Sequence, residues 1–238
     1  MAIYELELPV GLMAHSCTDA ERQADALAQA VSGALRSALE TYGKASLVVS
    51  GGRSPIAFFE RLSREPLDWA NIQIGLADER WVSVEHAASN EGLVRRHLLQ
   101  GPAAAASFLG LYHPAPTLED AALLADRALA ELHQPIDVLV LGMGDDGHTA
   151  SLFPASPRLS DALEADGHRR CLPMQAPVEP HERLTLTLPV LASARLPLLA
   201  IQGEAKLETL RLALAGENVA AMPIRAFLHS PLEIYWCP

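Results

Sequence analysis

Half of the 238 residues are hydrophobic, ample for a sizeable buried core, and the formal net charge is −11. That charge argues against nucleic acid and anionic membrane surfaces as partners, since both are held by excess lysine and arginine, and any anionic ligand must be met by a local cluster of positive side chains. Cys17, Cys171 and Cys237 stand far apart in no C-x-x-C pair, which suggests neither a disulfide framework nor a zinc site, and Glu5 and Glu7 near the start with no long apolar run point to a protein of the reducing cytoplasm.

In chain order, Ile3 to Leu8 is expected as an edge strand. From Asp19 to about Tyr42 an alanine-rich stretch carries Leu27, Val31, Leu35 and Leu39 at helical spacing and ends at Gly43. Ala45 to Val49 reads as a buried strand running into Ser50-Gly51-Gly52-Arg53-Ser54-Pro55. Ser54 is expected to be the N-cap and Pro55 the first residue of a helix bearing Ile56, Phe59 and Leu62. Strand, glycine turn and capped helix in succession offer free backbone N–H groups to a phosphate, although an ordinary βα turn has the same composition. The turn lacks the Lys-Ser/Thr ending of a nucleoside triphosphate loop.

Ile72 to Ala77 is the next strand, and the Asp78-Glu79-Arg80-Trp81-Val82 at its carboxyl end is either a solvated turn or part of a site. Ser89 can cap a helix from about Asn90 to Leu99, the connection to Tyr112 has no pattern, and Thr117 with Asp120 opens a helix reaching about His133. Val138 to Leu141 has the pattern of a parallel strand buried on both faces. Gly142, Gly144 and Gly147 then permit a tight turn at the carboxyl end, where open α/β sheets bind ligands, and deliver His148 to that rim. The same glycines satisfy G-x-G-x-x-G, but Asp145 and Asp146 would oppose a pyrophosphate and Pro154 leaves little room for the helix that should hold it.

Pro154, Pro157, Pro173, Pro177 and Pro180 predict a long surface excursion from Phe153 to His181. Arg158, Arg169, Arg170 and Arg183, in or near it, read as solvated basic residues that could also help an anion. Arg183 to Leu188 alternates as a strand does, Pro197 to Ile201 is apolar throughout, and a helix with Leu207, Leu210 and Leu214 begins near Gln202. Lys206 sits in its first turn, where the helix dipole disfavours a cation, so its position needs a reason. Ile224 to Leu228 and Leu232 to Trp236 close the chain. With no linker or repeat, residues 1–238 are expected to form one domain.

Val49 to Pro55, Ala77 to Val82, Ser89-Asn90, Leu141 to Pro154, Arg183 to Pro189 and Gly203 to Lys206, in this order and along nearly the whole chain, resemble the 6-phosphogluconolactonase family. The fourth segment is highly specific and the others are individually weak. The resemblance implies a Rossmann-like three-layer α/β/α fold with a mostly parallel central sheet, shared with glucosamine-6-phosphate deaminase. It also implies cofactor-free, metal-independent hydrolysis of 6-phosphoglucono-1,5-lactone in the pentose phosphate pathway. Ser54 stands where the family more often has threonine, and either hydroxyl can cap and donate.

A lactone is an activated ester, so a base that deprotonates water and returns the proton to the ring oxygen suffices, and His148 is assigned that role. Backbone amides of Ser50, Gly51, Gly52, Arg53 and Ser54, with the Arg53 and Lys206 side chains, would hold the phosphate, and Gly144 belongs to the substrate-binding turn. Arg80 joins that clamp or faces the oxyanion, and Asp78 orients Arg80 or His148 or is merely structural. The expected partner is a small phosphorylated sugar lactone, bound by a monomer or small homo-oligomer. Three rivals fit less well. A deaminase calls for an Asp-Glu-Tyr-like segment where Asp78-Glu79-Arg80 stands. A Ser50-Asp78-His148 hydrolase lacks the G-x-S-x-G elbow. A non-catalytic sugar-phosphate sensor is expected to carry a basic segment or to have lost the histidine and lysine.

Overall fold

A computed structural model describes residues 3–164, 166–229 and 231–238. The chain opens with β1 (Leu12–Ser16), α1 (Ala20–Tyr42), β2 (Ala45–Val49), α2 (Ile56–Leu62), β3 (Ile72–Leu76), β4 (Asp78–Arg80) and α3 (Asn90–His97). It continues through β5 (Ser107–Leu109), α4 (Leu118–Ala128), β6 (Val138–Leu141), α5 (Leu159–Leu163), β7 (Cys171–Gln175) and β8 (Glu182–Leu186). The last elements are α6 (Leu188–Ala192), β9 (Leu196–Gln202), α7 (Glu204–Leu214) and β10 (Leu232–Cys237). Local chemistry sets several ends. Asp19 accepts the Arg22 N–H at the start of α1, and Gly43, left-handed at φ 70°, returns its N–H to Leu39 at the other end.

Seven strands form one sheet in the order β1-β10-β9-β6-β2-β3-β5, every adjacent pair parallel, so the expected α/β architecture holds. β2 and β6 lie at its centre and are buried at every residue, which is why their sequences are unbroken apolar runs. From β2 the chain order runs outward through β3 and β5 on one side, while β6, β9 and β10 run outward on the other, with β1 added at that edge. The β2/β6 boundary is therefore a switch point, with its crevice at the strands' carboxyl ends.

β4, β8 and β7 form a second, antiparallel sheet. The two sheets meet at Ala77: its N–H donates to Val49 O in the first at 2.9 Å, and its carbonyl accepts the Leu186 N–H of the second at 2.9 Å. The chain thus turns out of the main sheet just after β3, setting Arg80 opposite Arg183.

Two expectations are corrected, the amino-terminal strand and the open proline-rich excursion, and two stretches that the sequence leaves unassigned gain an assignment. Ile3 to Leu8 is not a strand: Ile3–Glu5 is a 3₁₀ turn, and the edge strand starts only at Leu12, past Pro9 and Gly11 at φ 98°. The patternless connection before Tyr112 contains β5, which pairs with β3 and closes that edge. The proline-rich stretch is less open than expected, because α5 and β7 lie within it; Ala165, in the same stretch, lies outside the described residues. Pro173 is accommodated in β7, beside Leu184. Ile224 to Leu228 falls mostly in a 3₁₀ turn, Pro223–Phe227.

At the amino end of the sheet, buried Asp137 accepts the Ser46 N–H at 2.8 Å and Arg195 Nη1 at 2.5 Å, joining the starts of β2, β6 and β9. Asp137→Ala leaves the Ser46 amide without its acceptor and is expected to lower the unfolding free energy by about 2 to 3 kcal/mol in urea titrations. A change below about 0.5 kcal/mol, the range of ordinary surface substitutions, would show that the junction does not matter.

Candidate active site

A cleft of about 470 Å³ opens at the carboxyl ends of the central strands and is lined by Ser50, Gly51, Arg53, Ser54, Asp78, Arg80, Gly144, His148 and Lys206. These come from the turn after β2, from β4, from the turn after β6 and from the first turn of α7, so the parallel sheet itself delivers them. Gly52, also expected at the site, does not line the cleft; it sits at φ 106° within the turn.

The turn after β2 is pinned to β6 by the Ser50 N–H, which donates to Val140 O at 2.9 Å. Among the described residues, the N–H groups of Gly51, Gly52, Arg53 and Ser54 have no acceptor. Gly51 has to be glycine because a Cβ there would lie 1.9 Å from Asn90 Oδ1. Ser54 does not cap the next helix: Pro55 occupies the cap position, α2 begins at Ile56, and Ser54 is left exposed on the cleft wall.

The turn after β6 closes on itself. Gly144 N–H donates to His148 O at 2.8 Å, and Gly147 N–H to Gly144 O at 3.1 Å. No helix follows; Thr149 and Leu152 bridge instead, which removes the dinucleotide reading. His148 Nδ1 lies 2.5 Å from Asp146 Oδ1, and the same oxygen accepts the His148 N–H at 3.0 Å. Partial burial would raise the Asp146 carboxyl, but the backbone amide, charge and ring of His148 together hold it below the ordinary carboxylate range. The imidazole packs over Gly144, where a Cβ would come within 2.1 Å of the ring, and its centroid lies 4.3 Å from that of Phe153. Nδ1 being committed to Asp146, Nε2 is the nitrogen left for the cleft.

Of the readings open for Asp78, orienting Arg80, orienting His148 or a structural role, the contacts fit the structural one. Its Oδ2 accepts the Ser151 hydroxyl at 2.6 Å, and the partner of His148 is Asp146. Among the described residues Ser50 Oγ is buried without a hydrogen-bond partner, so they form no Ser50-His148-Asp78 relay. The Asp78-Glu79-Arg80 segment is a buried strand rather than a solvated turn. Glu79 is 0% exposed and takes the N–H groups of Arg80, Asn90 and Glu91, each at 2.7 Å, and the Ser89 hydroxyl at 3.2 Å. Arg80 Nη1 donates to Ala88 O at 2.6 Å, while its Nε, like Ser50 Oγ, is buried and unpaired.

Arg183, which the sequence offers only as a basic residue that could help an anion, and Asn90, to which it gives no site role, both line the cleft. Arg183 is 5% exposed, directly opposite Arg80, with Nε donating to Pro180 O at 2.6 Å and its guanidinium over the Phe153 ring. Burial, then the neighbouring Arg80, lowers its pKa from the ordinary value. Sequence alternation indicated a strand there but not its neighbour. Arg158 and Arg169 pair with Glu119 outside the cleft, and Arg170 lies beside another groove with Lys44 and His133. Among the described residues no group of three or more His, Cys, Asp or Glu is placed to hold a metal ion, and no helix is long and apolar enough to cross a membrane.

The family of glucosamine-6-phosphate isomerases/6-phosphogluconolactonase matches residues 18–236. The chain belongs to this family. A 6-phosphogluconolactonase of Pseudomonas aeruginosa is 63% identical over 238 residues, all of both chains. One of Rhizobium meliloti is 47% identical over 218 residues, covering 90% of this chain and 94% of the relative. The crystal structure of a 6-phosphogluconolactonase from Shewanella baltica, 40% identical, superposes with a TM-score of 0.93 over 98% of this chain and 100% of that one. A monomeric glucosamine-6-phosphate deaminase, 19% identical, reaches 0.74 over 94% and 97% of the two chains, a likeness of fold alone.

Glu79 gives this family member a pH signature. Burial pushes its carboxyl up to about 7, against the pull of the Glu91, Asn90 and Arg80 amides. A carboxyl raised on folding takes up a proton, so its contribution to stability is fully present below the unfolded value and is lost as pH rises towards 7. Between pH 5 and 8 the wild type should therefore lose stability relative to Glu79→Gln by on the order of 2 to 3 kcal/mol. Parallel stability curves for the two proteins would contradict this.

Proposed function

We propose that the chain hydrolyses 6-phospho-D-glucono-1,5-lactone to 6-phospho-D-gluconate, with His148 as general base. The observation that carries this reading is His148 Nδ1 held by the Asp146 carboxylate in a cleft where Ser50 Oγ and Arg80 Nε are buried and unpaired. The family and the names of its near relatives agree with it.

An anionic Asp146 accepts from Nδ1–H and so selects the tautomer in which Nε2 is basic. Nε2 takes a proton from water as the water oxygen bonds to the lactone carbonyl carbon. The bond from that carbon to the ring oxygen then breaks, and the proton passes from Nε2 to the ring oxygen, leaving a hydroxyl and a carboxylic acid that ionises. Charge that develops on the carbonyl oxygen needs a donor already in place and dry, and buried Arg80 Nε and Ser50 Oγ meet that requirement.

The phosphate belongs at the other end, where the free amides of 51–54 accompany Arg53 and Lys206. At the reacting end, Arg80 stands directly opposite Arg183; like charges on adjacent strands repel, and the developing oxyanion relieves that repulsion. The phosphorylated lactone is the partner this cleft accommodates. Nothing in the reading requires a cofactor, a nucleic acid or a membrane.

His148→Asn removes the proton carrier but keeps polarity and approximate size. Acid release from freshly prepared lactone should fall about 10²- to 10⁴-fold while inhibition by 6-phosphogluconate is little changed. Undiminished turnover would remove His148 from the mechanism. At matched ionic strength, sulfate should inhibit competitively and chloride should not, because a tetrahedral oxyanion matches the turn's amides. Equal inhibition by both would withdraw the phosphate assignment of 51–54.

A further inference from the structure

We propose that Asp145 competes with the ligand's phosphate for Lys206 and so sets the cleft's affinity for phosphorylated ligands. The inference rests on the assignment of Lys206 to phosphate made above. Lys206 Nζ lies 2.7 Å from Asp145 Oδ1, so the cation is engaged before any ligand arrives. The contact is tethered as well as charged: Thr209 Oγ, one turn further along α7, bonds Asp145 O at 3.3 Å. Asp145 is also the immediate neighbour of Asp146, so the turn that orients His148 reaches α7 through this residue.

The two partners are unequal. The lysine side chain is 26% exposed and the carboxylate 80% exposed. The carboxylate can therefore swing into water with little change in hydration, whereas the ammonium stays at the cleft. An ammonium has donors for two acceptors, but a carboxylate and a phosphate dianion touching the same nitrogen repel each other, so phosphate binding displaces Asp145.

An exposed pair is worth about 0.2 to 1 kcal/mol, which leaves Lys206 unpaired for roughly two-fifths down to one-sixth of the time. Apparent affinity is reduced by that fraction, so the competition weakens phosphate binding about two- to sixfold. Ring opening leaves the phosphate unchanged, so the same factor applies to product. Asp145 thus loosens the product's hold without touching the reacting carbon.

The test is a double-mutant cycle on Asp145→Asn and Lys206→Ala, read by calorimetric titration with 6-phosphogluconate and with inorganic sulfate. Asp145 is exposed, so its substitution does not threaten folding; Asp145→Ser serves as a second variant. Asp145→Asn and Asp145→Ser are expected to tighten both ligands about two- to sixfold, an effect that shrinks with added salt. Lys206→Ala is expected to weaken both ligands, and in that background most of the gain from Asp145→Asn should vanish. If Lys206→Ala weakens binding but the Asp145 variants bind no tighter, the competition is overturned and the phosphate assignment of Lys206 stands. A full gain that persists without Lys206 also overturns it, since the effect is then general charge removal. If Lys206→Ala changes nothing, the assignment falls and the inference falls with it.

Discussion

A carboxyl group with no access to water needs partners inside the protein, and Glu79 is met by three backbone amides and a hydroxyl. Two of those amides, at 90 and 91, belong to the first turn of α3, where helix geometry leaves N–H groups without partners. The same side chain therefore caps α3 and ties it to β4. Several site positions follow from this joint. Asn90 is held where its side chain donates to Asp78 O at 2.9 Å and packs on Gly51, and Arg80 is drawn against Ala88 O. The turn after β2, the Asp78–Arg80 strand and α3 are thus joined through buried polar contacts.

The cleft concentrates positive charge in a protein whose overall charge is −11. Arg53, Arg80, Arg183 and Lys206 all line it, and two of them stand opposite each other on β4 and β8. Such a set of like charges costs stability by itself, and the proposed phosphorylated ligand would offset that cost. The acidic remainder repels anions at long range, but that repulsion is screened within about 8 Å at physiological salt, while contact pairs in the cleft are screened less.

Much of this was legible in the sequence, for identifiable reasons. β2 and β6 announce themselves as apolar runs because both faces are covered, and the glycine turns after them are local signals, so Ser50 to Ser54 and His148 could be found by reading along the chain. The caps of α1, α3 and α4 are equally local. What escaped depends on pairing between distant segments. Nothing near Asp78 says that the chain leaves one sheet for another at Ala77, or that Arg80 will stand against a residue about a hundred positions away. Alternation thus places Arg183 in a strand but not beside Arg80, and nothing local marks Glu79 as buried. Asp146 was weighed only as an obstacle to pyrophosphate, when its distance of two residues from His148 let the turn bring the two together. Pro173 misled in the opposite direction, since β7 tolerates it.

The proposed reaction requires one ligand to span the cleft, phosphate on the turn after β2 and reacting carbon beside the turn after β6. A crystal structure with 6-phosphogluconate bound is the decisive measurement. Phosphate oxygens are expected within about 3.2 Å of the amides of 51–54 and of Lys206 Nζ, with the carboxylate end within hydrogen-bond reach of His148 Nε2, directly or through one water. A phosphate seated against His148, or a sugar lying outside the cleft, would contradict it.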